Sequence, residues 1–154
     1  MINKALPFIQ RKEIIDLLPH RDPMLLLDGL YNIKHMKSAL GHLRLNNEKF
    51  YVQGHFPGQP VMPGVMIVEA FGQAAAALAA YCLDKKTTEN KLVYLMSIQN
   101  ARFRKPIFPP CDLYLDCTVD KIKGKIWKYK GIAYCENEKM ADAEWMATIV
   151  DKND

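Results

Sequence analysis

Two side chains that can move protons, His55 and Glu69, flank a stretch rich in proline and glycine. Histidine side chains titrate near neutrality, which is the range that general-base catalysis requires. Glu69 is the sole charged residue in the run 62–83, and burying an unpaired carboxylate is expensive. We therefore expect Glu69 to be neutralised, paired or exposed in a cleft. A base beside a carboxyl group suits proton abstraction next to a carbonyl, with departure of a β-substituent.

Each of these residues also has a plainer interpretation. A lone histidine in a loop usually has no catalytic role, and a lone glutamate near a helix start is usually a capping or dipole carboxylate. Taken separately, neither His55 nor Glu69 identifies an enzyme. Taken together, two convergent titratable groups favour a catalytic site.

The run 62–83 predicts one long apolar helix. We expect it to begin near Pro63, since proline suits a first turn, and to end near Leu83 before the polar run 84–91. Its length would also span a bilayer. The many alanines and the central Glu69 disfavour a membrane span, because alanine contributes little to insertion and a central acid opposes it.

This helix would position Glu69 in its second turn. Glu69 then shares a face with Val65 and Gln73, which lie four residues to either side. The free N–H groups of the first turn, at Gly64 and Val65, lie close to it. They form a site for a developing negative charge, such as that on a carbonyl oxygen under attack.

The remaining elements must hold this unit in place. Residues 11–18 predict a short amphipathic helix. Residues 24–46 predict two strands joined around 34–38, and residues 50–63 predict an irregular loop of fixed shape. Four more strands follow at 92–103, 112–122, 126–136 and 140–150, with hairpin turns at 123–125 and 137–139. A helix that is apolar nearly all round must be buried nearly all round. One antiparallel sheet curled around it, the α+β hot-dog layout, would achieve that, although periodicity alone permits other α+β packings.

Composition sets outer limits on function. The chain has 154 residues, of which 49% are apolar, so we expect residues 1–154 to form one domain. Its net charge of +4 does not demand nucleic acid but suits an acidic partner. No cysteine pair has C-x-x-C spacing and the histidines lack ligand spacing, which disfavours a metal site. We expect four reduced, structural cysteines in a cytosolic protein: Cys82, Cys111, Cys117 and Cys135.

One family carries the same motifs in the same order. Residues 54–70 read Gly-His-Phe-Pro-Gly-Gln-Pro-Val-Met-Pro-Gly-Val-Met-Ile-Val-Glu-Ala. This closely resembles the G-H-F-P-G-x-P-x-M-P-G-V signature of the FabZ-type dehydratases of bacterial fatty acid synthesis. Leu-Pro-His-Arg at 18–21, with Pro23 and Asp28, matches their N-terminal motif, and residues 102–106 resemble a third block.

The resemblance implies an activity and a set of site residues. The reaction would be dehydration of (3R)-3-hydroxyacyl-[acyl-carrier-protein] to the trans-2-enoyl product in fatty acid elongation. His55 would be the main base, Glu69 would orient or protonate the departing hydroxyl, and the N–H of Gly64 would face the thioester carbonyl. Tyr94 matches a tyrosine that gates the acyl tunnel in some relatives, although a strand tyrosine is more often plain packing.

The resemblance also implies an assembly. Hot-dog dimers would build a hexamer, with an apolar acyl tunnel at the dimer interface. His55 and Glu69 of one site would come from different subunits. The implied partner is acyl carrier protein, the implied location is the cytoplasm, and no metal or organic cofactor, nucleic acid or membrane is implied.

The chain departs from the family at a few positions. Asp22 and Met24 stand where relatives often have aromatic residues, and the common Pro-Gly-Asp turn reads Pro-Cys-Asp at 110–112. Glu69, rather than an aspartate, argues against the related dehydratase–isomerases. Two other functions stay open: a hot-dog thioesterase, which needs a water placed for attack, and a non-catalytic acyl-carrier-binding module, which needs neither His55 nor Glu69.

Basic residues offer two candidate docking surfaces for an acidic carrier protein. The first is a lysine-rich hairpin, which is more simply explained as a solvated edge protected against aggregation: Lys121, Lys123, Lys125, Lys128 and Lys130. The second, which we favour for docking, comprises Arg102, Arg104 and Lys105, since residues two apart on a strand share a face.

Overall fold

The computed structural model of the chain describes residues 1–83 and 88–153. In chain order its elements are β1 (Ile9–Gln10), α1 (Arg11–Leu17), β2 (Gly29–Lys34), β3 (Ser38–Leu45), α2 (Phe50–Gln53), α3 (Gly64–Cys82), β4 (Lys91–Phe103), β5 (Cys111–Lys123), β6 (Ile126–Cys135) and β7 (Glu138–Asp151). The expected long helix and the four C-terminal strands are confirmed to within two residues at each end. Residues 84–87 of the expected polar run lie outside the described residues.

The strands form one antiparallel sheet in the order β1-β2-β3-β5-β6-β7-β4, and α3 packs against it. Small side chains on α3 allow a close approach: Ala74 is fully buried, and a Cβ added at Gly41 of β3 would lie 2.9 Å from the Ala74 Cβ. Phe71 of the same helix stacks on Trp145 of β7. The sheet therefore curls around α3 in the predicted hot-dog layout.

Helix α3 is the core helix of this fold. By length and composition alone it could cross a membrane, but 61% of its most apolar window is buried inside the fold. Its apolar residues pack against the sheet and α1. This placement agrees with the expectation of a core helix.

Three local expectations were wrong. Residues 50–63 are not irregular throughout, since Phe50–Gln53 forms the short helix α2. The first of the two strands expected in 24–46, β2, starts at Gly29 rather than at Met24. The second hairpin turns at Glu136 and Asn137, both with positive φ, and not at residues 137–139. Two consecutive left-handed residues are typical of a two-residue hairpin turn.

The cysteines also differ from expectation. Cys111, at the start of β5, and Cys135, at the end of β6, form a disulfide across the two paired strands. Cys82 and the buried Cys117 are free thiols, as expected of all four. Spacing in the sequence gave no sign of the pair because Cys111 and Cys135 meet only through strand pairing.

Candidate active site

His55 lies in the loop between α2 and α3, and its backbone is fixed on both sides. The His55 N–H donates to the Val52 carbonyl at 3.0 Å, and the Val61 N–H donates to the His55 carbonyl at 2.7 Å. Its ring Nδ1 lies 2.9 Å from the Val61 carbonyl oxygen. Because a carbonyl oxygen only accepts, Nδ1 carries the hydrogen and Nε2 of the neutral ring keeps a free lone pair. Nε2 is therefore the basic nitrogen.

The loop around His55 is held by short backbone hydrogen bonds. Phe56 and Gln59 exchange N–H donors with each other's carbonyls at 3.1 and 3.0 Å, and Gly58 takes the positive φ of 77° that this turn requires. The Met62 N–H donates to the Ile107 carbonyl at 2.9 Å. This part of the loop has the fixed shape that its prolines and glycines predicted.

Helix α3 begins next to this loop. The N–H groups of Met66 and Ile67 turn back to the Pro63 carbonyl at 3.0 and 3.4 Å. Gly64 and Val65 come first in the helix, and within the described residues neither N–H donates to a backbone acceptor outside the helix. The first N–H groups of a helix have no intrahelical partner and carry the positive end of its dipole. They can therefore hold an oxygen that gains negative charge.

Space is tight at this helix start. A Cβ added at Gly64 would lie 3.0 Å from the Phe103 ring, so the helix and the end of β4 meet without room for a side chain. Val65 is 75% exposed and points away from the core. Gly64 is thus partly buried against the end of β4, and Val65 is exposed at the surface of a single chain.

Glu69 lies one and a half turns into α3 and is held by two side chains. Its Oε1 accepts a hydrogen bond from Gln73 Nε2 at 2.8 Å and lies 3.5 Å from His20 Nε2. The contact with Gln73 confirms the predicted shared helix face. Contact with His20 holds the pKa of Glu69 below its usual value; burial opposes this and the Gln73 hydrogen bond supports it. Glu69 is therefore a carboxylate at neutral pH.

Gln73 ties this site to the N-terminal loop. The side chain is 1% exposed, accepts the Leu26 N–H at 2.9 Å and donates to the Met24 carbonyl at 2.7 Å. One amide thus satisfies two backbone groups and orients the Glu69 carboxylate. The rigid core of α3 supports the whole arrangement.

Glu69 faces a cavity of about 90 Å³ between α3 and the sheet. Its other lining residues are mostly apolar: His20, Val68, Gly72, Gln73, Ala76, Val93, Leu95, Trp145 and Ala147. A second cavity, between α1 and α3, shares His20, Ala76 and Val93 with the first and is lined largely by leucines and alanines. The shared residues show that the two cavities lie side by side.

Not all of the predicted site residues meet within one chain. Among residues 1–83 and 88–153, no hydrogen bond or ion pair joins His55 to Glu69, and His55 does not line the Glu69 cavity. Tyr94 is 53% exposed on β4, where its neighbours Val93 and Leu95 line that cavity instead. A single chain therefore presents its base and its acid separately.

Comparison with known proteins decides the family. A family model described as the FabA-like domain matches residues 18–144. A 3-hydroxyacyl-[acyl-carrier-protein] dehydratase FabZ of Myxococcus xanthus is 43% identical over 141 residues, which are 92% of this chain and 92% of that protein. The FabZ dehydratase of Rhodospirillum rubrum is 39% identical over 150 residues, 97% of this chain and 93% of that protein. The chain belongs to the FabZ-type dehydratases of the FabA-like family.

Solved structures support the fold of this FabZ-type chain. The dehydratase heterocomplex ApeI:P from Xenorhabdus doucetiae aligns with a TM-score of 0.79 at 15% identity, covering 91% of this chain and 92% of that chain. A thioesterase superfamily member from Thermus thermophilus aligns with a TM-score of 0.63 at 16% identity, covering 79% of this chain and 86% of that chain. These likenesses confirm the hot-dog fold.

The basic residues of this FabZ-type chain are partly neutralised by nearby acids. Arg104 donates twice to Asp142, at 2.9 and 3.1 Å, and Lys105 pairs with Glu138. In the lysine-rich hairpin, Lys130 pairs with Asp120 at 2.8 Å, and Lys128 lies near Asp120 and Glu144, at 3.7 and 3.2 Å respectively. The hairpin thus contains ion pairs, which fits the plainer interpretation of a solvated edge.

Sequence reasoning missed one residue of the site. His20 lies in the Leu-Pro-His-Arg motif at 18–21, to which the sequence assigned no site role, and the structure brings it to Glu69. The residues are far apart in the chain, and nothing in local spacing predicts the contact. A histidine inside a family motif is the sole signal that points towards the site.

Proposed function

We propose that this chain catalyses the reversible dehydration of (3R)-3-hydroxyacyl-[acyl-carrier-protein] to trans-2-enoyl-[acyl-carrier-protein] in fatty acid elongation. The observation that carries this conclusion is the family match over residues 18–144, which includes His55 and Glu69. An apolar cavity with one ionised carboxylate in its wall suits an acyl substrate with a single reacting hydroxyl. The enzyme is a hydro-lyase.

In the proposed reaction, each residue of the site has a distinct role. His55 Nε2 takes the α-proton, and the electron pair of that C–H bond forms the double bond as the β-carbon–oxygen bond breaks. The N–H groups of Gly64 and Val65 hold the thioester oxygen while it gains charge. Because Glu69 is ionised, it accepts a hydrogen bond from the hydroxyl and orients it. The imidazolium of His55 then supplies the proton with which hydroxide leaves as water.

We further propose that the active form is a dimer, assembled into a hexamer, whose sites join His55 of one chain to Glu69 of the other. Two observations support this. His55 does not line the Glu69 cavity, and β4 is an edge strand with exposed apolar side chains, including Leu95, Met96 and Ile98. An edge of this kind pairs readily with a second strand. Tyr94, exposed on the same strand, would gate the acyl tunnel.

The proposed partner is acyl carrier protein, met in the cytoplasm, with no role for nucleic acid or a membrane. The net charge of +4 suits an acidic carrier. Arg102, Arg104 and Lys105, at the end of β4, are its proposed docking residues. Lys105 is held beside Glu138 in the free chain, so docking there would exchange one acidic partner for another.

Hydration of a crotonyl thioester tests the activity directly. We expect the wild type to consume the enoyl absorbance without releasing free thiol. His55→Ala and Glu69→Gln should each lower kcat/KM by about 100-fold or more, since a general acid–base group contributes about 100- to 10,000-fold. Full activity in both variants would contradict the assigned pair. Thiol release by the wild type would instead identify a thioesterase, and an inert wild type a binding module.

A mixing experiment tests the shared site. The two inactive variants, unfolded together and refolded as one population, should regain part of the activity if each site uses two chains. About a quarter of the sites of a random dimer mixture would contain both native residues, by counting combinations of independent subunits. No recovery in hybrids shown to be dimers would place each site within one chain.

A further inference from the structure

The ring of His20 is directed at Glu69 by a braced loop. Arg21 Nη1 donates to the carbonyls of both Leu18 and His20, each at 2.7 Å, which fixes the backbone after α1. His20 Nε2 lies 3.5 Å from Glu69 Oε1, and the side chain is 29% exposed. Its Nδ1 is buried and has no hydrogen-bond partner among the described residues. The interaction of this ring with Glu69 is therefore its one polar contact within those residues.

His20 and Gln73 contact the same oxygen of the carboxylate. Both place a nitrogen at Oε1, at 3.5 and 2.8 Å. Within the described part of the chain, no hydrogen bond or ion pair reaches Oε2 of Glu69. A carboxylate held through one oxygen presents the other in a fixed direction. Oε2 is thus left to accept the hydrogen bond of the substrate hydroxyl.

Apart from His20 and Glu69, no titratable side chain among the described residues lines the Glu69 cavity. Strand β4 contributes Val93 and Leu95, and β7 contributes Trp145 and Ala147. The remaining lining residues from α3, apart from Gln73, are apolar or glycine. Among these neighbours, His20 and Gln73 are the two whose nitrogens contact the Glu69 carboxylate.

We propose that His20 is a positioning residue that, with Gln73, holds Oε1 of the charged Glu69 carboxylate so that Oε2 faces the substrate hydroxyl. The catalytic part of this proposal rests on the proposed dehydratase function. The contact itself does not, because it is present in the free chain.

The electrostatics agree with this geometry. Contact with His20 is the largest cause that lowers the pKa of Glu69, and burial acts in the opposite direction. Without His20, burial would be opposed mainly by Gln73, so the pKa of Glu69 would rise. The carboxylate would then protonate at a higher pH than in the wild type.

Kinetics of four variants test the catalytic role. We expect His20→Ala and His20→Phe, which both remove the donor, to lower kcat by about 10- to 100-fold, as expected for loss of a hydrogen bond to a charged group. KM should change far less. His20→Gln, which restores an N–H donor, should recover part of kcat. His35→Ala is the matched control: this exposed histidine contacts the Cys82 carbonyl and should behave as wild type.

A titration separates this proposal from the proposed function. In protein labelled with ¹³C at glutamate carboxyl carbons, Glu69 is assigned by its absence in Glu69→Gln. Its pKa should be higher in His20→Ala and His20→Phe than in the wild type, whether or not the wild type turns over a thioester. His20→Phe keeps a ring in the cavity, so it serves if His20→Ala does not fold. An unchanged Glu69 titration together with an unchanged kcat in the donor-free variants would overturn the role of His20.

Discussion

At the scale of single residues, Gln73 connects several buried polar groups near the site. Its buried amide makes hydrogen bonds to Leu26, Met24 and Glu69. Gln73→Met keeps the volume and leaves the buried Leu26 N–H without a partner. An unsatisfied buried group costs about 1–3 kcal/mol, so we expect the free energy of unfolding in urea to fall by about 2–3 kcal/mol.

The control for this variant is another glutamine with an exposed amide. Gln53 Nε2 donates to the Glu48 carbonyl at 3.2 Å on the surface. Gln53→Met should change the free energy of unfolding by no more than about 0.5 kcal/mol. Equal losses in Gln73→Met and Gln53→Met would show that the buried network adds no stability.

The pH dependence of stability follows from the state of Glu69. Its pKa is lower in the fold than its usual value of 4.5, so the folded state stabilises the carboxylate. This contribution is fully present above the unfolded-state pKa and is lost as pH falls through the folded-state pKa. The stability advantage of wild type over Glu69→Gln should therefore shrink between about pH 6 and about pH 3. Urea unfolding at several pH values measures it, and a constant difference would contradict the assigned shift.

The residues of the site differ in how far the sequence predicts them. His55 and Glu69 are recognisable because a base and a costly acid stand out from their apolar surroundings, and Gln73 follows from helical spacing. His20 does not, because its contact with Glu69 depends on how the loop after α1 folds onto α3. The disulfide between Cys111 and Cys135 could not be predicted from the sequence for the same reason. Contacts made through the tertiary fold leave no local pattern.

At the scale of elements, β6 packs closely against α3 at a glycine. A Cβ added at Gly131 would lie 2.7 Å from the Phe71 ring and 2.8 Å from the Trp145 ring, and those two rings stack on each other. Gly131→Ala must separate them, and overpacking a core costs about 1–3 kcal/mol. Thermal or urea unfolding should show a loss of this size.

Gly54→Ala is the matched control for that variant. Gly54 has a φ of −100°, which alanine adopts readily, and a Cβ there would meet no atom within 4 Å. Its effect on the free energy of unfolding should stay within about 0.5 kcal/mol. If Gly131→Ala unfolded with the same free energy as the wild type, there would be free space between the helix and the sheet where the structure shows contact.

The elements that the sequence mispredicted have local physical causes. Residues Phe50–Gln53 make a single helical turn, which is too short to show a hydrophobic period. Strand β2 starts later than expected because Gln73 takes the Leu26 N–H and the Met24 carbonyl, which a strand neighbour would otherwise bond. Long elements such as α3 were predicted well because many residues repeat one pattern.

At the scale of the whole molecule, β4 pairs with β7 alone among the described strands. The strand order ends with β7 and then β4, and β4 carries exposed apolar side chains on both faces. Residue types alone predicted a strand here but not an open edge, because strand order is a property of the complete sheet. The same β4 supplies Val93 and Leu95 to the Glu69 cavity. A second copy on this edge would therefore cover the strand and lie beside the site.

Placing a charge on this edge tests the proposed dimer. Ile98 is 46% exposed on β4, and Ile98→Lys should weaken pairing because a lysine on an edge strand opposes strand-to-strand contact. We expect analytical ultracentrifugation to show smaller species and the dehydratase activity to fall with them, because each site would lose half of its residues. Ile122→Lys changes an equally apolar side chain, 39% exposed near the β5–β6 hairpin, and should stay assembled and active. If Ile98→Lys remained assembled and fully active, chains would associate elsewhere, and His55 and Glu69 would have to meet by another route.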